Sequence, residues 1–145
     1  MKQKKAFTLI ELTLVVFIIG LIAGVAAISF RNIREKSRDS QRVSDVGQIQ
    51  NALEMYYRDE SAYPATISFG QTFVGSSSSS TYLTLVPQNP RPRNDGTCTD
   101  NEYTYAVSGN QLSYALDFCI SNPAGSLNAG RHCATPKGIN NSVCQ

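Results

Sequence analysis

The chain has no proline before Pro64, no cysteine before Cys98, a single histidine at 132, and no charged side chain between Glu11 and Arg31. Each absence removes a class of protein. One histidine, with no Gly-x-Ser-x-Gly and no His-Glu-x-x-His run, leaves no nucleophile–base–orienter set for a hydrolase. Four cysteines without any Cys-x-x-Cys pair do not make a zinc site. No glycine loop of the phosphate-cradling type is present. A balance of 13 Lys+Arg against 11 Asp+Glu, net +2, lacks the basic footprint of a nucleic-acid binder. At 145 residues the chain holds one ordinary domain and little else.

What is present is concentrated at the N-terminus. Lys2, Lys4 and Lys5 precede an uncharged run from Leu12 to Phe30 rich in Leu, Ile, Val and Ala. At about 1.5 Å per residue, such a run as a helix matches a bilayer core. Three fates compete for it: a signal peptide removed after Ala27, a permanent anchor, or a segment retained for a second use. Glu11 discriminates between them. A carboxylate at the head of an apolar run costs several kcal/mol in lipid unless it is neutralised or paired, a cost without purpose in a discarded leader.

Lys4-Lys5-Ala6-Phe7-Thr8-Leu9-Ile10-Glu11-Leu12 resembles the processing signal of type IV prepilins and of type II secretion pseudopilins. The resemblance implies a leader of residues 1–6, cut between Ala6 and Phe7 by a prepilin peptidase that also N-methylates Phe7. Ala6 departs from the usual glycine before the cut. It further implies that Glu11 of one subunit pairs with the Phe7 amine of the next, setting the register of a helical filament. The alternative is a Glu11 that pairs within its own chain. Inner-membrane assembly platform and motor proteins, membrane lipid before extraction and further copies of the chain are the partners implied. The orientation with the N-terminus inside comes from the resemblance alone, because Arg31, Arg34, Lys36, Arg38 and Arg42 after the run outnumber the lysines before it. Gly20 and Gly24 have the small-xxx-small spacing that lets helices approach closely, and they join Phe7 and Glu11 as expected assembly residues.

Beyond Phe30 the pattern turns amphipathic with no glycine or proline break. Val46, Ile49, Leu53 and Tyr56 recur at helical spacing, widened by Val43 and Tyr57, while Asp45, Gln48, Gln50, Asn51 and Glu54 fall off the stripe. Pro64 ends the pattern, which places the helix end at Asp59 to Ser61. A helix from Phe7 to Glu60 would run roughly 80 Å, too long for the remaining residues to cover. The stretch from Asp45 to Pro64 is also similar to the end of the long helix in major pseudopilins and in a group of pilins like them. The serines at 76–80 read as a mobile loop.

Glu102–Val107 and Leu112–Ile120 read as two strands joined at Ser108-Gly109-Asn110, with Leu112, Tyr114, Leu116 and Phe118 forming one apolar face. The expected fold is α+β: a long helix, membrane half plus amphipathic half, laid on a small antiparallel sheet with a disulfide-bonded C-terminal region. The expected divisions are leader 1–6, filament-core helix 7–30, amphipathic continuation 31–61 and globular head 62–145.

The hairpin also orders the cysteines. With Ser108-Gly109 as the two-residue loop, Cys98 faces Cys119 across the pair; with Gly109-Asn110 it lies one diagonal step away. Cys98–Cys119 is therefore expected, with Cys133–Cys144 closing the tail as pilins commonly do. No cofactor is expected. Asp95, Gly96 and Glu102 match part of a calcium loop, but Arg91 and Arg93 stand at two ligand positions; a looser calcium site from Asp95, Asp100, Glu102 or Asp117 is the remaining alternative. Arg91, Arg93, Arg131, His132 and Lys137 read as solvated loop charges rather than a nucleic-acid patch. The function expected is a structural, non-enzymatic subunit of a type IV pilus-like filament. A pseudopilin of type II secretion or DNA uptake is the alternative, and a secreted disulfide-bonded binding domain released after Ala27 is the alternative of another class. The expected location is the inner or cytoplasmic membrane before assembly, with the head outside, then an extracellular pilus or periplasmic pseudopilus.

Overall fold

A computed structural model describes residues 7–77 and 79–144, with the side chains of residues 26–29 and 31 outside that description. The expected cleavage residue Ala6 and Ser78 of the serine run therefore fall outside the described positions, as does the side chain of Ala27 at the alternative site. The chain divides into two compact units, residues 1–34 and residues 35–145.

In the first unit, helix α1 begins at Leu9, and it is assigned continuously to Glu60. Leu9, Ile10, Phe17 and Ile22 are all exposed here, as are most apolar side chains of this stretch. Among the described residues, no helix is long and apolar enough to cross a membrane. Membrane insertion of the Leu12–Phe30 run thus rests on the sequence.

The second unit holds the rest of α1 and all strands. Helix α1 ends at Glu60, where Ser61 adopts a left-handed φ of 60° and its amide closes on the Tyr57 carbonyl at 2.8 Å. Strands β1 (Phe73–Val74) and β2 (Thr81–Leu83) form a short antiparallel hairpin. Strands β3 (Thr104–Val107), β4 (Tyr114–Ile120), β5 (Gly130–Thr135) and β6 (Gly138–Asn140) form a four-stranded antiparallel sheet in chain order. Val46, Ile49, Leu53 and Tyr56 of α1 share one core with Tyr114, Leu116, Phe118 and Ile120 of β4. Alternation explains that face of β4; the opposite side is covered too, so that six of its seven residues are buried. Burial of each large aliphatic side chain in this core contributes about 1.5–3 kcal/mol before entropy is counted.

Tyrosines fill the end of the core near Pro64. Tyr57 stacks on Tyr63 with ring centroids 4.6 Å apart, Tyr63 meets Tyr114 edge-on at 4.8 Å, and Tyr56 stacks on Phe73 at 5.2 Å.

Two expectations are corrected. The β3–β4 connection is wider than a two-residue loop: Val107 pairs with Tyr114 and Thr104 with Asp117. Ser108 and Ser113 widen it by bonding each other, the Ser108 amide to the Ser113 carbonyl at 2.9 Å and the Ser113 amide to Ser108 Oγ at 3.1 Å. Leu112 consequently sits in the turn and is exposed, outside the apolar face. Strands β5 and β6 carry no clear alternation in sequence; β5 joins the sheet by pairing with β4, and β6 by pairing with β5. The serine run is the loop between β1 and β2. Gly75 N donates to Ser80 O at 2.9 Å, Ser77 N to Glu60 at 3.0 Å, and Tyr56 OH bonds Ser76 Oγ at 2.5 Å.

Candidate functional site

Two groups of residues carry the chemistry. The first is at the start of α1. Thr8 occupies the N-cap position, where its Oγ1 accepts from the Glu11 amide at 3.4 Å. The Glu11 carboxylate reaches back to accept from Thr8 N at 3.2 Å and from Thr8 Oγ1 at 3.0 Å. This is the reciprocal capping box, in which two of the helix's unpaired amides are satisfied by side chains three residues apart. A carboxylate in the first turn also meets the positive end of the helix dipole. Glu11 therefore bonds within its own chain, to Thr8. Phe7 is exposed beside it, and a methyl group added at Gly20 or Gly24 would meet nothing within 4 Å.

The second group lies where α1 enters the head. Continuing the stripe Tyr56, Leu53, Ile49, Val46 backward at the same four- and three-residue spacing lands on Arg42 and Asp39, which are 0% and 1% exposed. The Arg42 guanidinium donates to Asn89 Oδ1 at 2.8 Å, Asp39 Oδ1 at 2.7 Å and Asp95 Oδ2 at 2.9 Å. Arg38 holds the same Asp95 in a two-pronged grip, at 2.7 and 2.5 Å. Asp39 in turn accepts from Ser121 N at 3.0 Å and from the backbone and side-chain nitrogens of Asn122 at 2.8 and 2.9 Å. Ser121 Oγ donates to the Asp95 carbonyl. Buried charge is tolerable only when paired and hydrogen-bonded in this way.

The network sorts the carboxyl groups. Hydrogen bonds from Arg38, reinforced by Arg42, hold Asp95 below the usual carboxylate range against the opposing effect of burial. Asp45, one turn on, moves the other way, because burial outweighs the bond from Tyr103 OH at 3.1 Å and the nearby Arg42 charge. Burial also raises the Tyr103 phenol far above its normal range.

Of the acids weighed for calcium, Asp95 is taken by two arginines, Asp100 and Glu102 lie beside Arg93, and Asp117 binds Arg131. Among the described residues no cluster of three metal-binding side chains forms. Arg93 and Arg131 are engaged by the same pairings, and His132 is buried at 1%, its Nε2 2.8 Å from the Asn128 carbonyl and its ring against Phe118. An open groove of about 470 Å³ behind the sheet, bounded by Ala106, Ala115, Thr135, Asn140 and Val143, is lined by no carboxylate, lysine, arginine or histidine.

Cys98 is bonded to Cys119 and Cys133 to Cys144. Cys98 does not belong to β3; it lies in an isolated bridge with Asp95, their amides and carbonyls exchanging two 3.0 Å bonds. The first disulfide therefore joins β4 to the loop that supplies Asp95.

The Arg42–Asp39–Asp95 network is not evident from the sequence, where Arg42 and Asp39 read as charges following a membrane segment and Asp95 as a candidate calcium ligand. The signal was available in the unbroken phase of the stripe.

Residues 1–27 match the prokaryotic N-terminal methylation motif. The chain is similar to type II secretion system core protein G of Vibrio cholerae, 33% identical over 94 residues that make up 65% of this chain and 58% of that protein. It is also similar to core protein G of Klebsiella pneumoniae, 30% identical over 99 residues, 62% of this chain and 71% of that protein. Fimbrial protein EcpC of Eikenella corrodens is 36% identical over 62 residues, 43% of this chain and 40% of that protein. No solved structure matches the chain significantly. The chain belongs to the prepilin-type family of pilins and pseudopilins that includes the type II secretion core protein G.

Proposed function

We propose that this chain is a structural subunit of a pilus-like filament, cut between Ala6 and Phe7 by prepilin peptidase, N-methylated at Phe7, and polymerised through its N-terminal helix. The observation that carries the reading is the exposed apolar stretch of α1, with Phe7, Leu9, Ile10 and Val25 each more than two-thirds exposed. Such a surface needs lipid before assembly and other copies of itself afterwards. A small head with its own core and two disulfides supplies the outer layer of the fibre.

Within that reading, Glu11 exchanges its bonds to Thr8 for the Phe7 amine of a neighbour, and Gly20 and Gly24 permit close helix contact. The two relatives named as core protein G favour the type II secretion pseudopilus as the particular filament, while the fimbrial relative supports a surface pilus. Before assembly the subunit sits as a single-pass protein of the cytoplasmic membrane, its head on the outer side. The platform and motor of the assembly machine are its partners, calcium is not required, and the chain is not itself an enzyme.

The deciding experiment is mass spectrometry of the N-terminus of the protein expressed with its own peptidase. An N-methylated Phe7 is the expected result. A chain beginning at Ile28 would lack the filament helix and would leave a secreted domain instead.

A further inference from the structure

The segment from Asn89 to Asn101 crosses α1 at the point where the buried charges lie. Asn89 and Asp95 take two of the three bonds of Arg42, and Asp95 takes both bonds of Arg38. Across from this segment, Ser121 and Asn122 at the end of β4 take Asp39. Cys98 and Cys119 tie the two gripping elements together. The tie is close to both: Cys98 pairs with Asp95, and the Cys119 carbonyl accepts from Asn101 Nδ2 at 3.1 Å. The second disulfide, Cys133–Cys144, links β5 to the tail and touches none of these groups.

From this arrangement we infer that residues 89–101 form a strap over α1 that is latched by oxidation of Cys98 and Cys119 and opens as a local unit when they are thiols. Few apolar side chains anchor it. Within the segment only Cys98 belongs to the buried apolar set, while Asn89, Asp95 and Asn101 are buried polar groups. Elements held by hydrogen bonds rather than apolar contact open at low free energy unless they are cross-linked. Closing the latch removes two electrons and two protons from the thiols; a protein or small-molecule disulfide accepts them and becomes two thiols. The redox state of one bond is thereby converted into the exposure of Arg38, Arg42 and Asp95. In the open state Arg38 loses both of the bonds described for it, and Arg42 keeps Asp39. Subunits reach the locked form only after meeting a disulfide oxidant on the outer side of the membrane.

Hydrogen exchange on the full chain in detergent micelles tests this without any filament, so its outcome is independent of the assembly reading. The reporters are the amides of Asp95, Cys98, Asp100 and Asn101, all bonded within the strap. With the Cys98→Ser/Cys119→Ser variant these amides should exchange about tenfold or more faster, while those of β4 and β5 keep their protection. Cys133→Ser/Cys144→Ser should leave the strap amides unchanged. Asp95→Asn, which keeps the disulfide, should accelerate strap exchange less than the serine pair does. Should the serine pair fail to fold, wild type is pulsed with dithiothreitol and sampled at short times. Strap exchange that leads β4–β5 exchange supports the latch. Simultaneous loss at both places, or strap amides within twofold of wild type in the Cys98→Ser/Cys119→Ser variant, overturns it.

Discussion

Arg42 carries its charge at a position with no exposed surface, and its worth lies in what its absence would strand. Arg42→Ala leaves the buried carboxylates of Asp39 and Asp95 without their shared cation and should cost about 3 kcal/mol, read as a shift in the urea midpoint of the head. The same network gives the acid limb of stability two opposing contributions. Asp95, held below its ordinary 3.8, stabilises the fold above that value and loses the contribution as pH falls through its folded value. Asp45, raised above 3.8, takes up its proton earlier in the folded state, so acidification through its folded value toward 3.8 adds stability. In unfolding curves between about pH 2.5 and 6, Asp95→Asn should flatten the acid-induced loss and Asp45→Asn should steepen the net fall. The two disulfides are legible in sequence, because an even cysteine count and the hairpin spacing point to Cys98–Cys119 and Cys133–Cys144. Asp39 and Arg42 are not read so easily, since a charged residue on a buried stripe looks like the stripe's end. Only their partners at positions 89, 95, 121 and 122, far along the chain, make the position habitable.

Helix α1 is the most legible element. Its uninterrupted pattern and the Pro64 stop place its end at Glu60, within the range expected. Leu53 sits at the centre of its buried face and Met55 on its exposed face. Leu53→Ala should cost about 3 kcal/mol and Met55→Ala under 0.5 kcal/mol, compared by thermal unfolding. The sheet was only half legible. The core face of β4 shows clear alternation, but β5 contains Gly130, Arg131 and His132, whose places depend on strand pairing and local partners: the exposed Arg131 reaches Asp117 and the buried His132 reaches Asn128. The turn was misread for a related reason. Ser108-Gly109-Asn110 signals a tight reversal, yet hydroxyl and amide side chains extend it by making bonds a two-residue loop lacks: Asn110 Oδ1 accepts from Ser108 Oγ at 2.7 Å and from the Leu112 amide at 3.3 Å.

At the scale of the whole molecule, a chain with one well-cored unit and one uncovered apolar helix is complete only in company. Glu11→Val removes the carboxylate while lengthening the apolar run, so membrane partition should persist and the yield of sheared filaments should fall at least several-fold. Wild-type filament yield from that variant would sink the proposed pairing with Phe7. All seven tyrosines lie between Tyr56 and Tyr114, and the chain has no tryptophan. Their stacked and edge-on contacts therefore place the molecule's tyrosine optics entirely in the second unit. Near-ultraviolet dichroism and tyrosine emission will follow the head alone, because the apolar first unit adds no indole or phenol to the signal.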